Sequence, residues 1–260
     1  MTTFAQPLLN VTDLSKSFGH HVALQEISFD LGYGEVIAIV GESGSGKTTL
    51  LKSIACLTPA DSGQVVFQSE QFGHMDVFKV SSMQQRLLNR TEWGFVHQNA
   101  RDGLRMNVSA GANIGERLMS LGQRHYGKIR EQAMYWLDMV EIDPKRMDDL
   151  PSTFSGGMQQ RLQIARNLVT QPRLVMLDEP TSGLDVSVQA KLLDLFKKLA
   201  QQLGLSVLIV THDLAVARLL ADQMIVMQDG KIVERGLTDQ VLDDPQHPYT
   251  QLLVSSIIAA

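Results

Sequence analysis

The chain is short of cysteine, of long apolar runs and of positive charge, and each shortage narrows what it can be. Its single cysteine, Cys56, allows no internal disulfide and no cysteine-rich metal site, which suits a reducing compartment. The longest apolar stretches, Val36–Val40 and Val207–Val210, are strand-sized. The apolar tail Leu252–Ala260 has nine residues, well below the roughly 18–20 that a helical span needs. Met1–Pro7 has no basic start and no apolar run behind it, so no secretory leader is expected and a cytoplasmic location is. Lys and Arg number 23 against 28 Asp and Glu, a net charge of −5. That balance argues against a dedicated nucleic-acid binder.

What remains is an ordinary globular composition. Hydrophobic residues make up 44% and charged ones 20%, which excludes disorder and fibrous repetition. At about 150 residues per domain, 260 residues suggest one large α/β domain with a subdomain. Leu8–Asp30 reads as strand-like pieces around a turn at Gly19 and His20. Val36–Val40 is uniformly apolar, the pattern of a parallel strand buried on both faces. A helical stretch over Thr49–Leu57, strands at Gln64–Gln68 and Trp93–His97, and a helix over Gln84–Arg90 follow. Apolar residues at three-four spacing make Val108–Leu150 helical, and Met158–Thr170 one further helix. Leu174–Leu177, a helix over Val186–Leu203 and Ser206–Val210 restore an alternating βαβ rhythm. Two short strands near Gln223–Val233 and a terminal helix close the chain.

Two segments carry chemistry. Gly41-Glu42-Ser43-Gly44-Ser45-Gly46-Lys47-Thr48 fits G-x-x-x-x-G-K-[ST] at every position, between a buried strand and a helix that continues through Thr49. Its glycines let backbone N–H groups face phosphates, and the helix N-terminus adds partial positive charge. Lys47 then meets the β- and γ-phosphates, and Thr48 offers its hydroxyl to Mg²⁺. The second is Leu174-Val175-Met176-Leu177-Asp178-Glu179, four apolar residues ending in two carboxylates. Open α/β sheets put their ligands at such a strand end. Asp178 would hold the Mg²⁺ shell through water, and Glu179 would polarise an attacking water.

With four further motifs in order, the chain resembles the ATP-binding subunits of ABC systems over essentially its whole length. Phe154-Ser155-Gly156-Gly157-Met158-Gln159-Gln160-Arg161 is similar to the family's signature loop, with Phe154 where leucine is usual and Met158 where glutamine is common. Gln98 matches the Q-loop glutamine, Ser182-Gly183-Leu184-Asp185 the D-loop, and His212 the switch histidine. Phe18 stands where an aromatic ring lies under adenine. The resemblance implies a P-loop, RecA-like α/β fold for 1–260. In it, 1–91 and 164–260 form the core with an N-terminal β subdomain, and 92–163 form an inserted α-helical subdomain. It implies ATP and Mg²⁺ as cofactors, catalytic roles for Glu179, His212, Gln98 and Lys47, and metal contacts from Thr48, Gln98 and Asp178. Nucleotide contacts fall to Phe18, Gly41–Thr49 and, from a second copy, to Ser155, Gly156 and Gly157. Two chains would sandwich two ATP molecules head to tail.

Within that family, two stretches point different ways. Asp243-Asp244-Pro245-Gln246-His247-Pro248-Tyr249-Thr250-Gln251-Leu252-Leu253 resembles the tail of oligopeptide-importer ATPases. Arg90–Gln98, Asp102–Arg105 and Val108–Met119 resemble instead the ATPases of bacterial phosphonate carbon–phosphorus lyase systems. That likeness implies a soluble ATPase docked on the lyase core subunits, beside a possible second ABC subunit. The alternative is the ATP-hydrolysing subunit of a phosphonate or oligopeptide importer. Between Arg86 and Arg130 eight basic residues face three acidic ones, within a chain that is −5 overall. This basic stretch reads as a solvated helical face or as a docking surface for an acidic partner, with Arg101 and Arg105 the preferred contacts.

Overall fold

A computed structural model describes residues 6–258. Most of Met1–Pro7 and the last two residues of the tail, where the leader and span readings fall, lie outside the described residues. The elements run β1 (Leu9–Phe18), β2 (His21–Leu31), β3 (Val36–Val40), α1 (Lys47–Ile54), β4 (Ser62–Ser69), β5 (Gly73–Asp76), α2 (Ser82–Thr91) and β6 (Trp93–Val96). Then come α3 (Ala100–Gly103), α4 (Ala110–Ser120), α5 (Tyr126–Met139), two 3₁₀ turns (Pro144–Asp148 and Pro151–Thr153) and α6 (Gly156–Leu168). The chain continues through β7 (Leu174–Asp178), α7 (Val186–Leu203), β8 (Ser206–Thr211), α8 (Leu214–Leu220), β9 (Gln223–Gln228), β10 (Lys231–Leu237), α9 (Thr238–Asp243) and α10 (Pro248–Ile258).

These elements fall into two units, 1–85 with 204–260, and 86–203. In the first, an antiparallel sheet has the order β2-β1-β4-β5. The tight turn after Phe18 pairs Phe18 with His21, and register shifts between Val11 and Ser17 carry the hairpin on to Leu9 opposite Leu31. A second sheet runs β10-β9-β3-β8, with β3 parallel to both neighbours. Ile37, Ala38, Ile39 and Val40 are wholly buried. That explains why β3 has no polar-apolar alternation: a parallel strand covered on both faces has no side for a polar residue. Its C-terminal end is therefore a rigid platform, and the Gly41–Gly46 loop leaves from it.

In the second unit β6 and β7 pair in parallel, Trp93 opposite Leu174 and Val96 opposite Leu177. Helices α4, α5 and α6 bury Ile114, Trp136, Leu137, Leu162 and Leu168. Among the described residues, no helix is long and apolar enough to cross a membrane.

Two of the helix starts that differ from the sequence-based expectation matter for function. α1 begins at Lys47 rather than Thr49, because Gly46 takes a left-handed φ of 102° and turns the chain into the helix. α6 begins at Gly156 rather than Met158, because Ser155 caps it with its side-chain oxygen. The expected helical region 108–150 breaks into α4, α5 and a 3₁₀ turn. The short elements β5, α3, α8 and α9 have too few residues to show a period.

Candidate nucleotide site

The first unit builds a phosphate-binding loop between β3 and α1. Gly41, Gly44 and Gly46 have φ of 150°, 86° and 102°, the region that side-chain-bearing residues avoid. Gly41 has a second reason to be glycine: a Cβ there would lie 2.2 Å from the Met227 carbonyl oxygen of β9. At Gly46 a Cβ would lie 2.3 Å from the Ala23 carbonyl oxygen. No side chain caps the N-terminus of α1, and helix starts of this kind are where anions bind. Lys47 is buried and folded along the loop, its Nζ donating to the carbonyls of Gly41 (2.8 Å) and Glu42 (2.7 Å). Glu42, Ser43 and Gly44 are exposed at the loop's crest, and Thr48 and Thr49 are half-buried in the first turn of α1.

Neighbouring elements of the same unit brace this loop. The Gly230 N–H, in the β9–β10 turn, donates to the Ser45 carbonyl (3.1 Å), and the Glu42 N–H donates to the Tyr249 hydroxyl of α10 (2.9 Å). Burial, ahead of smaller effects from Glu42 and Asp229, pushes the Tyr249 phenol above its ordinary pKa, so it stays protonated. Phe18 ends β1 with its ring half exposed, and Lys16 Nζ lies 5.3 Å from the ring centroid. His212 is exposed in the link from β8 to α8, whose first turn is capped by the Asp213 carboxylate.

The second unit gathers the other candidate residues. Asp178 is buried at the C-terminal end of β7. Glu179 follows with a φ of 43°, a left-handed conformation that costs a side-chain-bearing residue about 1–3 kcal/mol. Gln98, after β6, is exposed and donates from Nε2 to Ser182 Oγ at 3.2 Å, which ties the Q-loop position to the D-loop segment. Behind them lies a buried glutamine pair on α6. Gln160 Nε2 reaches the carbonyls of His97 (3.3 Å), Gln98 (3.1 Å) and Pro180 (3.0 Å). Gln163 accepts the His97 N–H at 2.6 Å and donates to Gln160 Oε1 at 2.6 Å. One helix thereby holds the chain after β6 and the chain after β7 together. Sequence reading did not single out Gln160 and Gln163 for this; two glutamines on the buried face of an amphipathic helix were the available signal.

Ser155 and Gly156 are exposed at the N-terminus of α6, while Gly157 is buried against Val188. The two unusual residues of this turn share one neighbour. Arg146 stacks its guanidinium 4.4 Å from the Phe154 ring centroid and points Nη1 at Met158 Sδ, 3.6 Å away. It also donates from Nη2 to the Thr153 carbonyl and hydroxyl, and pairs through Nε with Asp149 at 2.7 Å. The Phe154 side chain is buried, so the departure from leucine is absorbed inside the unit and not at the exposed Ser155–Gly156 edge.

Each unit carries candidate Mg²⁺ ligands of its own: the Thr48 hydroxyl in the first, the buried Asp178 carboxylate and the Gln98 amide in the second. These are oxygen donors of the kind Mg²⁺ takes alongside waters and phosphates. Among the described residues no group of three His, Cys, Asp or Glu could hold a metal by itself. Cys56 is half-buried, and burial, with Asp76 nearby, pushes its thiol up to about 11, so it is not a nucleophile at neutral pH. The basic stretch is less uniform than its sequence. Arg117 is internal, donating to the Asn89 and Trp93 carbonyls (both 2.9 Å), and burial lowers its pKa to about 10. Arg105 pairs with Glu116, and Arg130 makes a bidentate pair with Asp148. Arg86, Arg90, Arg101, Arg105, Arg124 and Lys128 are exposed.

The geometry has counterparts among known proteins. The family model described as ABC transporter matches residues 24–182. A model described as AAA domain, putative AbiEii toxin, Type IV TA system, matches the shorter span 148–218. The chain is 60% identical, over 97% of its length and 98% of the relative's, to the putative phosphonates utilization ATP-binding protein PhnK of Escherichia coli (strain K12). It is 36% identical to the dipeptide transport ATP-binding protein DppD of Bacillus subtilis (strain 168), over 97% of this chain and 77% of that one. Among solved structures, the dimeric ATP-binding cassette MJ0796 in a post-hydrolysis state with ADP and Pi superposes with a TM-score of 0.78 at 29% identity. That match covers 88% of this chain and 98% of the other.

Proposed function

The chain belongs to the ABC transporter family of ATP-binding proteins, and from that premise we propose that it hydrolyses ATP between two head-to-tail copies of itself in support of phosphonate breakdown. In this reading it works in the cytoplasm, docked on the core subunits of a carbon–phosphorus lyase. The observation that carries the phosphonate assignment is the 60% identity, over nearly the full length of both chains, to a phosphonate-utilization protein. The fold is that of the ABC nucleotide-binding domain, and the family's members are ATPases.

Each residue's part follows from its chemistry. The N–H groups of Gly44–Thr48 and the N-terminus of α1 take the β-phosphate, and Lys47 exchanges its loop carbonyls for β- and γ-oxygens. Phe18 offers a stacking face to adenine, selective for an aromatic base and little else. Thr48, Asp178 and Gln98 would hold Mg²⁺, which would supply charge neutralisation to the phosphates. Glu179 accepts a proton from the attacking water, a role typically worth about 10² to 10⁴ in rate. The left-handed turn at Glu179 supports this assignment, since strain of that kind persists where a side chain must be aimed. His212 donates to the γ-phosphate region. Ser155, Gly156 and Gly157 of the second copy complete the γ-phosphate site with N–H groups and a hydroxyl.

Magnitudes favour two nucleotides per dimer. ATP at about 100 times its dissociation constant for the closed state contributes about 2.7 kcal/mol. Two such contributions reach about 5.4 kcal/mol, near the roughly 5.5 kcal/mol that moves an equilibrium from 1:99 to 99:1. One nucleotide would bring the ratio only to about 1:1, and hydrolysis at the shared γ-phosphate reopens the dimer.

A second reading, the ATPase of a phosphonate or dipeptide importer, is favoured by 36–37% identity to dipeptide transport proteins over 97–98% of this chain. Affinity purification of the tagged protein from phosphonate-grown cells separates the two. Recovery of soluble lyase core subunits is the expected result; recovery of membrane permeases without them would move the assignment to the importer.

A further inference from the structure

The segment His247-Pro248-Tyr249-Thr250 has no part in the roles above, yet it reaches the phosphate loop. Tyr249 Oη accepts the Glu42 N–H at 2.9 Å, and the ring is buried, 8% exposed. Glu42 itself is exposed, so its N–H gains an ordered partner only through this contact from α10. The helix start is itself held. Glu234 of β10 accepts the N–H groups of Gln246 (2.8 Å) and His247 (3.0 Å), and His247 Nδ1 accepts the Tyr249 N–H (3.2 Å). On the other flank of the loop, the Gly230 N–H fixes the Ser45 carbonyl. Three glycines in the left-handed region make the intervening backbone soft, so its shape depends on these two anchors.

We propose that Tyr249 is a positioning residue for the nucleotide phosphates: its hydroxyl pins the loop at Glu42 and so holds the Gly41–Gly46 backbone in the shape that receives them. This rests on the reading that the loop binds ATP. Tyr249 touches no nucleotide atom and acts through the Glu42 backbone alone. Replacing it by phenylalanine keeps the buried ring and removes only the acceptor, which leaves the loop to sample conformations that do not bind.

The test uses the full chain as wild type, Tyr249→Phe, and Leu252→Ala as a control, an exposed position of the same helix. ATP affinity and steady-state turnover are measured with amide exchange at Glu42 and thermal unfolding. In Tyr249→Phe the expected result is about tenfold weaker ATP binding, the size of one net hydrogen bond, with KM raised and kcat retained at saturation. Exchange at the Glu42 amide rises while the unfolding midpoint stays near wild type, and Leu252→Ala changes nothing. Glu234→Ala, which loosens the start of α10, raises KM in the same direction by a smaller factor. Wild-type affinity in Tyr249→Phe would overturn the inference, as would an affinity loss that merely tracks a general loss of stability. If the wild-type chain binds no ATP, the nucleotide reading itself fails, and that outcome is distinct from a variant that binds as well as its parent.

Discussion

The phosphate loop and the Ser155 turn are both glycine-bearing segments that lead into a helix N-terminus, yet the molecule holds them by different means. The loop is set by backbone. Gly41 and Gly46 press against the Met227 and Ala23 carbonyls, and the Gly230 N–H pins Ser45. The turn is set by side chains. Gln159 donates to the Pro151 (3.0 Å) and Phe154 (3.1 Å) carbonyls, and Arg146 covers Phe154 and Met158. A backbone-built site tolerates no added atom but is indifferent to most neighbouring side chains. A side-chain-built one can be retuned, and that is how two uncommon residues are accommodated in the turn.

Alanine at the two glycines should break this symmetry most sharply. Gly41→Ala puts a Cβ 2.2 Å from a β9 carbonyl and forces an unfavourable φ, so a loss of about 3–5 kcal/mol is expected, with ATP binding abolished. At about 2–4 °C per kcal/mol, calorimetry should register a fall of about 6–20 °C. In Gly156→Ala the Cβ meets only Leu184 Cδ2, at an ordinary 3.4 Å, so stability should change by less than about 1 kcal/mol. ATP binding to the single chain should survive, and ATP-driven pairing should fall, because in the proposed sandwich the new methyl would crowd the second copy's phosphate. Equal destabilisation by the two alanines would erase the distinction.

Gln160→Leu tests the side-chain side of the comparison. It removes the donor shared by three carbonyls, one bond buried and two partly buried, at about 1–3 kcal/mol for an orphaned buried group, so a total loss of about 2–4 kcal/mol is expected in urea unfolding. Turnover should drop further than ATP affinity, since Gln98 and the segment after Glu179 are what Gln160 aligns.

The smallest effect concerns the anchor of α10. Burial alone would raise the Glu234 carboxyl, but its hydrogen bonds, led by that from the Gln246 N–H, outweigh it and hold it below the ordinary 4.5. A depressed carboxylate stabilises above its unfolded-state value, and that stability is lost as pH falls through the folded value. Acidification below about pH 4.5 should therefore lower the stability measured by urea unfolding slightly more in wild type than in Glu234→Gln, by no more than about 0.5 kcal/mol.

Much of this was legible in the sequence, and the rest was not, for physical reasons. The uniformly apolar Val36–Val40, the complete phosphate-loop pattern and the Asp178-Glu179 strand end each announce local chemistry, and local chemistry is what a sequence shows. Helix α7 follows its periodicity from Val186 to Leu203. The starts of α1 and α6 were misjudged by two residues because Gly46 and Ser155 act through φ and capping rather than through periodicity. Arg117 reads as surface charge in sequence, but it is half-buried and donates to carbonyls 24 and 28 residues away. Tyr249 reaches Glu42 across 207 positions, a contact no spacing rule reveals.

The claim on which all else depends is that a triphosphate is gripped by the Lys47 loop of one copy and the Ser155 turn of another. The most direct measurement is the mass in solution of the Glu179→Gln variant, which should bind ATP without turning it over, by sedimentation with and without Mg-ATP. A shift from single chain to dimer on adding ATP, abolished by Ser155→Arg in the same background, is predicted. A sample that stays monomeric with ATP bound would contradict the account.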